Sequence, residues 1–154
     1  MTGRWLVDAS TIFRLRRTGA PPGFARWLDA RRDAEFLIGA STLADVRAAI
    51  ERVGDAHKRR DLNDWLDRLA LAFDARVLPV SADVLLRWHQ LIEPGSRAEG
   101  MAPPDALVAA TALQHHCAIL ACGDRGYRAV GIATHDPWDE VPPIESTRAD
   151  RPSG

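Results

Sequence analysis

The chain alternates short apolar runs with longer amphipathic ones. Trp5-Leu6-Val7 is too short for a helix and reads as a buried strand that stops on Asp8. Ser10 is placed to cap a helix running through Arg17, which Thr18-Gly19-Ala20 ends. Pro21-Pro22 opens a second helix, with Phe24, Trp27 and Leu28 at helical spacing. "EFLIGA", 35–40, predicts a second strand, after which Ser41 or Thr42 caps a helix striped with Leu43, Val46, Ile50 and Val53. A long helix follows from about Ala56 to Phe73, with Leu62, Trp65, Leu66 and Leu69 on one side. "RVLPV", 76–80, is a third short strand, and Ser81 caps a helix that reaches Ile92. After a Gly- and Pro-containing loop, 93–101, Pro103-Pro104-Asp105 starts the almost wholly apolar "ALVAATAL", a helix buried on most sides. "CAILAC", 117–122, and "GIATH", 131–135, complete five strands.

Strands alternating with helices predict one α/β domain, a small parallel sheet flanked by helices on both faces. The domain is expected over 1–141, and the Pro-, Ser- and charge-rich tail, 142–154, is expected to be frayed. In parallel sheets ligands bind beyond the carboxyl ends of the strands, at the point where strand order reverses. Asp8 stands at such an end. Desolvating an unpaired carboxylate costs several kcal/mol or more, so Asp8 needs a partner, and no Lys or Arg lies within the next five residues.

Composition narrows the field only a little. The chain has 154 residues, 46% hydrophobic and 27% charged, with net charge −1, so nothing global draws it to nucleic acid. Arginine outnumbers lysine 19 to one, which is taken as base bias of the genome. On one strand Cys117 and Cys122 would lie roughly 17 Å apart at about 3.3 Å per residue, beyond disulfide reach. Two free thiols, the lack of a charged-then-apolar leader and the lack of a membrane-length apolar run lead to an expected cytoplasmic location.

Three further acids stand at junctions comparable with that of Asp8. Asp45 lies in "STLADVRAAIERV", Asp105 in "MAPPDALVAATAL" and Asp124 in "ILACGDRGY". Singly, Asp45 and Asp105 are also explained as first-turn acids facing a helix dipole, and Asp124 as a turn residue before Gly126. Asp8 has no such duty in this reading. Gathered together, the four would be costly: two carboxylates 5 Å apart repel by roughly 3 kcal/mol at an effective dielectric near 20. Hard oxygen donors without a His or Cys set then point to Mg²⁺ or Mn²⁺ as the partner of Asp8. Such an ion polarises a phosphodiester and activates water.

These motifs resemble PIN-domain ribonucleases, specifically VapC-type toxins of type II toxin–antitoxin pairs. "LVDAST" is similar to the family's first acid motif, "STLADVRAAIERV" to the second, and "PPDALVAATAL" to the third. "ILACGDRGYRAVGI" resembles the fourth, strand then Thr-x-Asp then aromatic, and "DPW", 136–138, the closing Asn-Pro-Trp. The resemblance implies that Asp8, Asp45, Asp105 and Asp124 bind the metal and are catalytic. It implies that Ser10 orients Asp8 and that Thr42 holds the cluster by hydrogen bonds. It further implies homodimerisation, Mg²⁺- or Mn²⁺-dependent RNA cleavage and neutralisation by a cognate VapB-type antitoxin. Two departures stand out: Asp45 where the family has Glu, shorter by roughly 1.5 Å, and Cys122 in place of Thr or Ser, which removes a hydroxyl.

Other features have two readings each. Arg14, Arg16, Arg17, Arg31 and Arg32 could guide RNA phosphates or form a solvated face. Lys58-Arg59-Arg60 reads as an exposed face with Asp61 and Asp64 as partners. His115-His116 suits a helix end. A groove with Phe13, Trp27 and Trp65 could receive an antitoxin segment. The competing functions are a catalytically weak PIN-fold protein that binds RNA or its partner, and a haloacid-dehalogenase-like phosphatase. The phosphatase would need a second acid where Ser10 stands.

Overall fold

In a computed structural model, which describes residues 3–139, the five expected strands form a single parallel sheet. They are β1 (Trp5–Val7), β2 (Phe36–Gly39), β3 (Val77–Leu78), β4 (Ala118–Leu120) and β5 (Thr134–His135), in spatial order β3-β2-β1-β4-β5. Trp5, Leu6 and Val7 pair with Phe36, Leu37 and Ile38 on one side and with Ala118, Ile119 and Leu120 on the other. The chain builds outward from β1 to β3, crosses back, and continues outward through β4 and β5. Strand order therefore reverses between β1 and β4. The expected tail, 142–154, lies outside the described residues.

Among the described residues six α-helices cover the sheet: α1 (Ala9–Thr18), α2 (Pro22–Asp29), α3 (Ala40–Glu51), α4 (Ala56–Phe73), α5 (Ala82–Ile92) and α6 (Pro103–His115). Because successive strand side chains alternate faces, each strand feeds two cores. Trp5, Val7, Ile38, Ala118 and Leu120 pack with Ile12, Phe24, Trp27, Val46, Ile50 and Leu66, from α1 to α4. Leu6, Leu37, Ile119 and Ala121 pack on the other side with Val108, Ala109 and Ala112 of α6, together with Tyr127 and Ile132. The apolar α6 is buried along Ala106 and from Val108 to Ala112, as its sequence requires.

The helix starts follow local chemistry, with two corrections. Asp55 caps α4, its Oδ1 accepting from the backbone N–H of His57 and Lys58 at 2.9 and 3.0 Å, and Ser81 caps α5. Ser10, however, does not cap α1. Asp8 does, its Oδ1 accepting from Thr11 N at 3.1 Å, so this strand-end acid has a capping duty after all. Nor do Ser41 or Thr42 cap α3. β2 runs straight into the helix, the extended Gly39 is the cap residue, and both hydroxyls fall inside the first turn, buried and without hydrogen-bond partners.

The helix cover makes a specific demand on α4. Leu66→Ala, at a side chain 1% exposed, is expected to lower unfolding free energy by about 2–5 kcal/mol. Leu71→Ala, at a side chain 81% exposed on the same helix, should change it by less than about 0.5 kcal/mol. Urea melts of the two variants check the contrast, and equal losses would refute the assignment of faces.

Candidate functional site

At the reversal point the ends of β1 and β4 are tied together. The N–H of Asp8 donates to Leu120 O at 3.1 Å, extending the β1–β4 pairing by one residue, and Thr11 Oγ1 donates to the same carbonyl at 2.9 Å. Ser10 Oγ donates to Asp8 Oδ1 at 2.6 Å and accepts from Cys122 N at 2.9 Å. Ser10 thus orients the Asp8 carboxylate and clamps it to the segment leaving β4.

Asp8 is 2% exposed. Burial raises its pKa above the usual carboxylate value. The hydrogen bonds from Ser10 and Thr11 and the charge of Arg125 pull it down, and Asp105 pushes it up, with burial prevailing. Its second oxygen, Oδ2, faces the hydroxyl of the fully buried Tyr127 at 3.5 Å and Arg125 Nε at 3.8 Å. Asp105, in the first turn of α6, meets the same two groups, with Tyr127 Oη 3.5 Å from Oδ1 and Arg125 Nη1 3.6 Å from Oδ2. Burial and the two carboxylates hold the Tyr127 hydroxyl firmly protonated, so it serves as a donor.

Asp8, Asp45 and Asp105 line one cavity of about 380 Å³, together with Ser10, Phe13 and Arg125. Asp45 lies beyond the first turn of α3, since that helix begins at Ala40. A dipole-capping duty therefore does not account for it. Burial, and then repulsion from Asp105, raises its pKa. Asp124 stands apart from this wall. It is exposed, and its Oδ1 accepts from Arg128 N at 3.0 Å. Thr42 is buried, with an unpartnered hydroxyl rather than a bond to the acids.

Two site residues escaped the sequence reading. Tyr127 was seen only as the aromatic of a motif. Arg125, too far from Asp8 along the chain for local pattern to connect them, is the cation that faces its carboxylate. Asp136, in "DPW", supports this corner: its Oδ2 accepts from Gly123 N at 3.0 Å and its Oδ1 from Trp138 N at 2.9 Å. It thereby braces the loop that carries Asp124 and Arg125.

The donors have the chemistry of a hard divalent cation site: three carboxylates face one cavity, and two of them are disfavoured as anions by burial and by Asp105. As placed, however, the positive charge between Asp8 and Asp105 is Arg125. Among the described residues no three acidic, histidine or cysteine side chains are grouped so as to hold a metal ion.

A family model described as "PIN domain" matches residues 5–133. The chain is 25% identical to "Toxin FitB" of Neisseria gonorrhoeae over 138 residues, 88% of this chain and 99% of that protein. It is 22% identical to "VapC ribonuclease Y4jK" of Sinorhizobium fredii, over 87% of this chain and 97% of that one. The crystal structure of FitAcB from Neisseria gonorrhoeae superposes with a TM-score of 0.75 at 24% identity, covering 87% of this chain and 98% of the other.

The carboxyl shifts set a pH dependence. A carboxyl whose pKa is higher in the folded than in the unfolded state binds more protons when folded. Its ionisation therefore weakens folding as pH rises from the ordinary value through the raised one. In EDTA, Asp45→Asn is expected to melt higher than wild type at pH 8, with the gap closing as pH falls toward 4. Calorimetry across that range checks the sign; a variant that melts lower at pH 8 would contradict it.

Proposed function

The chain belongs to the PIN-domain family, and from that membership we propose that it is an endoribonuclease toxin whose cut is made at the Asp8 cavity. The observation that carries this reading is the meeting of Asp8, Asp45 and Asp105, from β1, α3 and α6, in one cavity at the reversal point of the sheet. The names of the two relatives, a toxin and a VapC ribonuclease, support it.

In this reading Asp8, Asp45 and Asp105 would hold Mg²⁺ or Mn²⁺, whereas Asp124, bonded to Arg128 N and outside the cavity lining, is not placed to join them. When bound, the ion supplies a Lewis acid for the phosphodiester and lowers the pKa of water. The chain's own groups do the positioning. Ser10 and Thr11 N fix one Asp8 oxygen so that the other faces the cavity. The Tyr127 hydroxyl, 3.5 Å from an oxygen of each, offers its one proton to Asp8 or Asp105. Arg14, Arg16 and Arg31 are not assigned to RNA: their guanidinium groups lie over Trp138, Trp65 and Trp27 at 4.6, 5.6 and 4.0 Å.

The partner in this reading is a VapB-type antitoxin. A groove of about 810 Å³ runs between α1, α2 and α4, lined by Leu15, Leu28, Trp65, Leu69 and Phe73. It differs from the expected groove. Phe13 lines the acid cavity instead, and Trp27 is buried in the core. The reading also includes a homodimer, for which the exposed Leu85, Leu86 and Ile92 of α5 offer apolar surface. Among the described residues no helix is long and apolar enough to cross a membrane; a cytoplasmic site of action is part of the proposal. Membership of the PIN family leaves the phosphatase alternative without support. Arg125 beside the acids favours one second reading, a catalytically weak protein that binds RNA or its partner.

Incubating total RNA with the purified protein and Mn²⁺, then mapping the cut sites, separates the two. The nuclease reading expects defined cuts that Asp8→Asn slows by at least about 100-fold, the scale on which loss of one transition-state stabiliser acts. Equal RNA survival with both proteins would end it. For the partner, Trp65→Ala is expected to weaken binding of the proposed VapB-type antitoxin by about tenfold or more, measured by calorimetry where both proteins are folded. Unchanged affinity would remove the groove from the interface.

A further inference from the structure

The loop after β4 delivers a cation to the mouth of the acid cavity. Arg125 Nε lies 3.8 Å from Asp8 Oδ2, and its Nη1 lies 3.6 Å from Asp105 Oδ2. We propose that Arg125 is a tethered counter-ion that holds the place of a divalent cation, so that docking of its guanidinium and metal loading exclude each other. The inference rests on the reading of this cavity as the metal site.

Three features support it. First, Arg125 addresses both carboxylates that a metal would need to share, through the oxygens not already committed to Ser10 and Thr11. A metal ion bonded to both of those oxygens would take the position between them that the guanidinium occupies, so one must leave. Second, the contacts are looser than the roughly 2.7–2.9 Å of a charge-assisted hydrogen bond. The arginine side chain is 41% exposed, whereas that of Asp8 is 3% exposed. The guanidinium thus reaches in from solvent over a fixed carboxylate, and rotation of its side chain takes it out again.

Third, the backbone beneath it is pinned. Gly123 N is held by Asp136 and Arg128 N by Asp124, at 3.0 Å each. Between these anchors Arg125 adopts φ 49°, a left-handed conformation that a residue with a Cβ rarely takes. The loop is therefore fixed in a form that aims position 125 at the acids, while the side chain remains the movable part.

Mn²⁺ titration of the metal-stripped full-length protein, followed by electron paramagnetic resonance, tests the exclusion without any activity assay. Arg125→Ala and Arg125→Gln are expected to bind Mn²⁺ at least about tenfold more tightly than wild type, with Arg125→Lys nearer to wild type. Arg128→Ala, which removes an equal charge from the same loop, should change affinity less than about twofold. Both neutral variants should melt lower than wild type in EDTA and gain more on adding Mn²⁺; the Gln variant keeps the test open if the Ala variant folds poorly. Neutral variants that bind Mn²⁺ equally or more weakly overturn the exclusion. In that outcome, if Asp105→Asn still abolishes binding, the cavity stands as the metal site. Absence of binding by every protein overturns both ideas together.

Discussion

A carboxylate sealed at the end of the central strand is the constraint around which this molecule is organised. Asp8 is 2% exposed, and an unpaired charge at that depth would cost several kcal/mol. The fold meets the cost with local donors, Ser10 Oγ and Thr11 N, and with groups that arrive from the far end of the chain, Tyr127 and Arg125. The same donors also do structural work. Asp8 caps α1, and Ser10 ties β1 to the segment leaving β4. Removing the side-chain oxygens, as in Asp8→Ala, would therefore loosen a helix start and a strand junction along with the site.

Topology explains why the acids meet. In the order β3-β2-β1-β4-β5, the carboxyl ends of β1 and β4 are neighbours from which the following chain departs in opposite directions. The crevice left between them is walled by α3 and α6, and each brings one acid, Asp45 and Asp105. The buried Ala-rich run of α6 packs with Leu6, Leu37 and Ile119 of the sheet, and the start of that helix brings Asp105 to the Arg125 guanidinium that also faces Asp8.

The elements were legible because helix and strand periods are local: every expected strand and helix appears, most ends shifted by a residue or two and the start of β5 by three. Asp8, Asp45 and Asp105 were legible too, as acids at strand ends or near helix starts on one edge. What could not be read was decided by chain distance and by the fine geometry of junctions. Tyr127 lies 119 positions from Asp8, and nothing local to either residue announces the contact. Whether Ser41 or Gly39 caps α3 depends on where β2 stops, and a loop-free junction moved that boundary by two residues. Asp124 looked equivalent to the other acids, but a single turn points its carboxylate at Arg128 N and into solvent.

α1 shows how one short helix divides the surface. Ala9, Ser10 and Phe13 face the acid cavity, whereas Thr11, Ile12, Leu15 and Arg16 face the apolar groove. The 3.6-residue period sets these two stripes on different sides of the same cylinder. Thr11 joins them: its side chain lines the groove and bonds Leu120 O, while its backbone N–H holds Asp8. Ten residues therefore form the common wall of a charged pocket and an apolar one. The apolar side needs Ile12 and Leu15 packed against the core to keep α1 in place. The charged side depends on that placement, since the Asp8 carboxylate is held by the first turn of the helix that those two residues anchor.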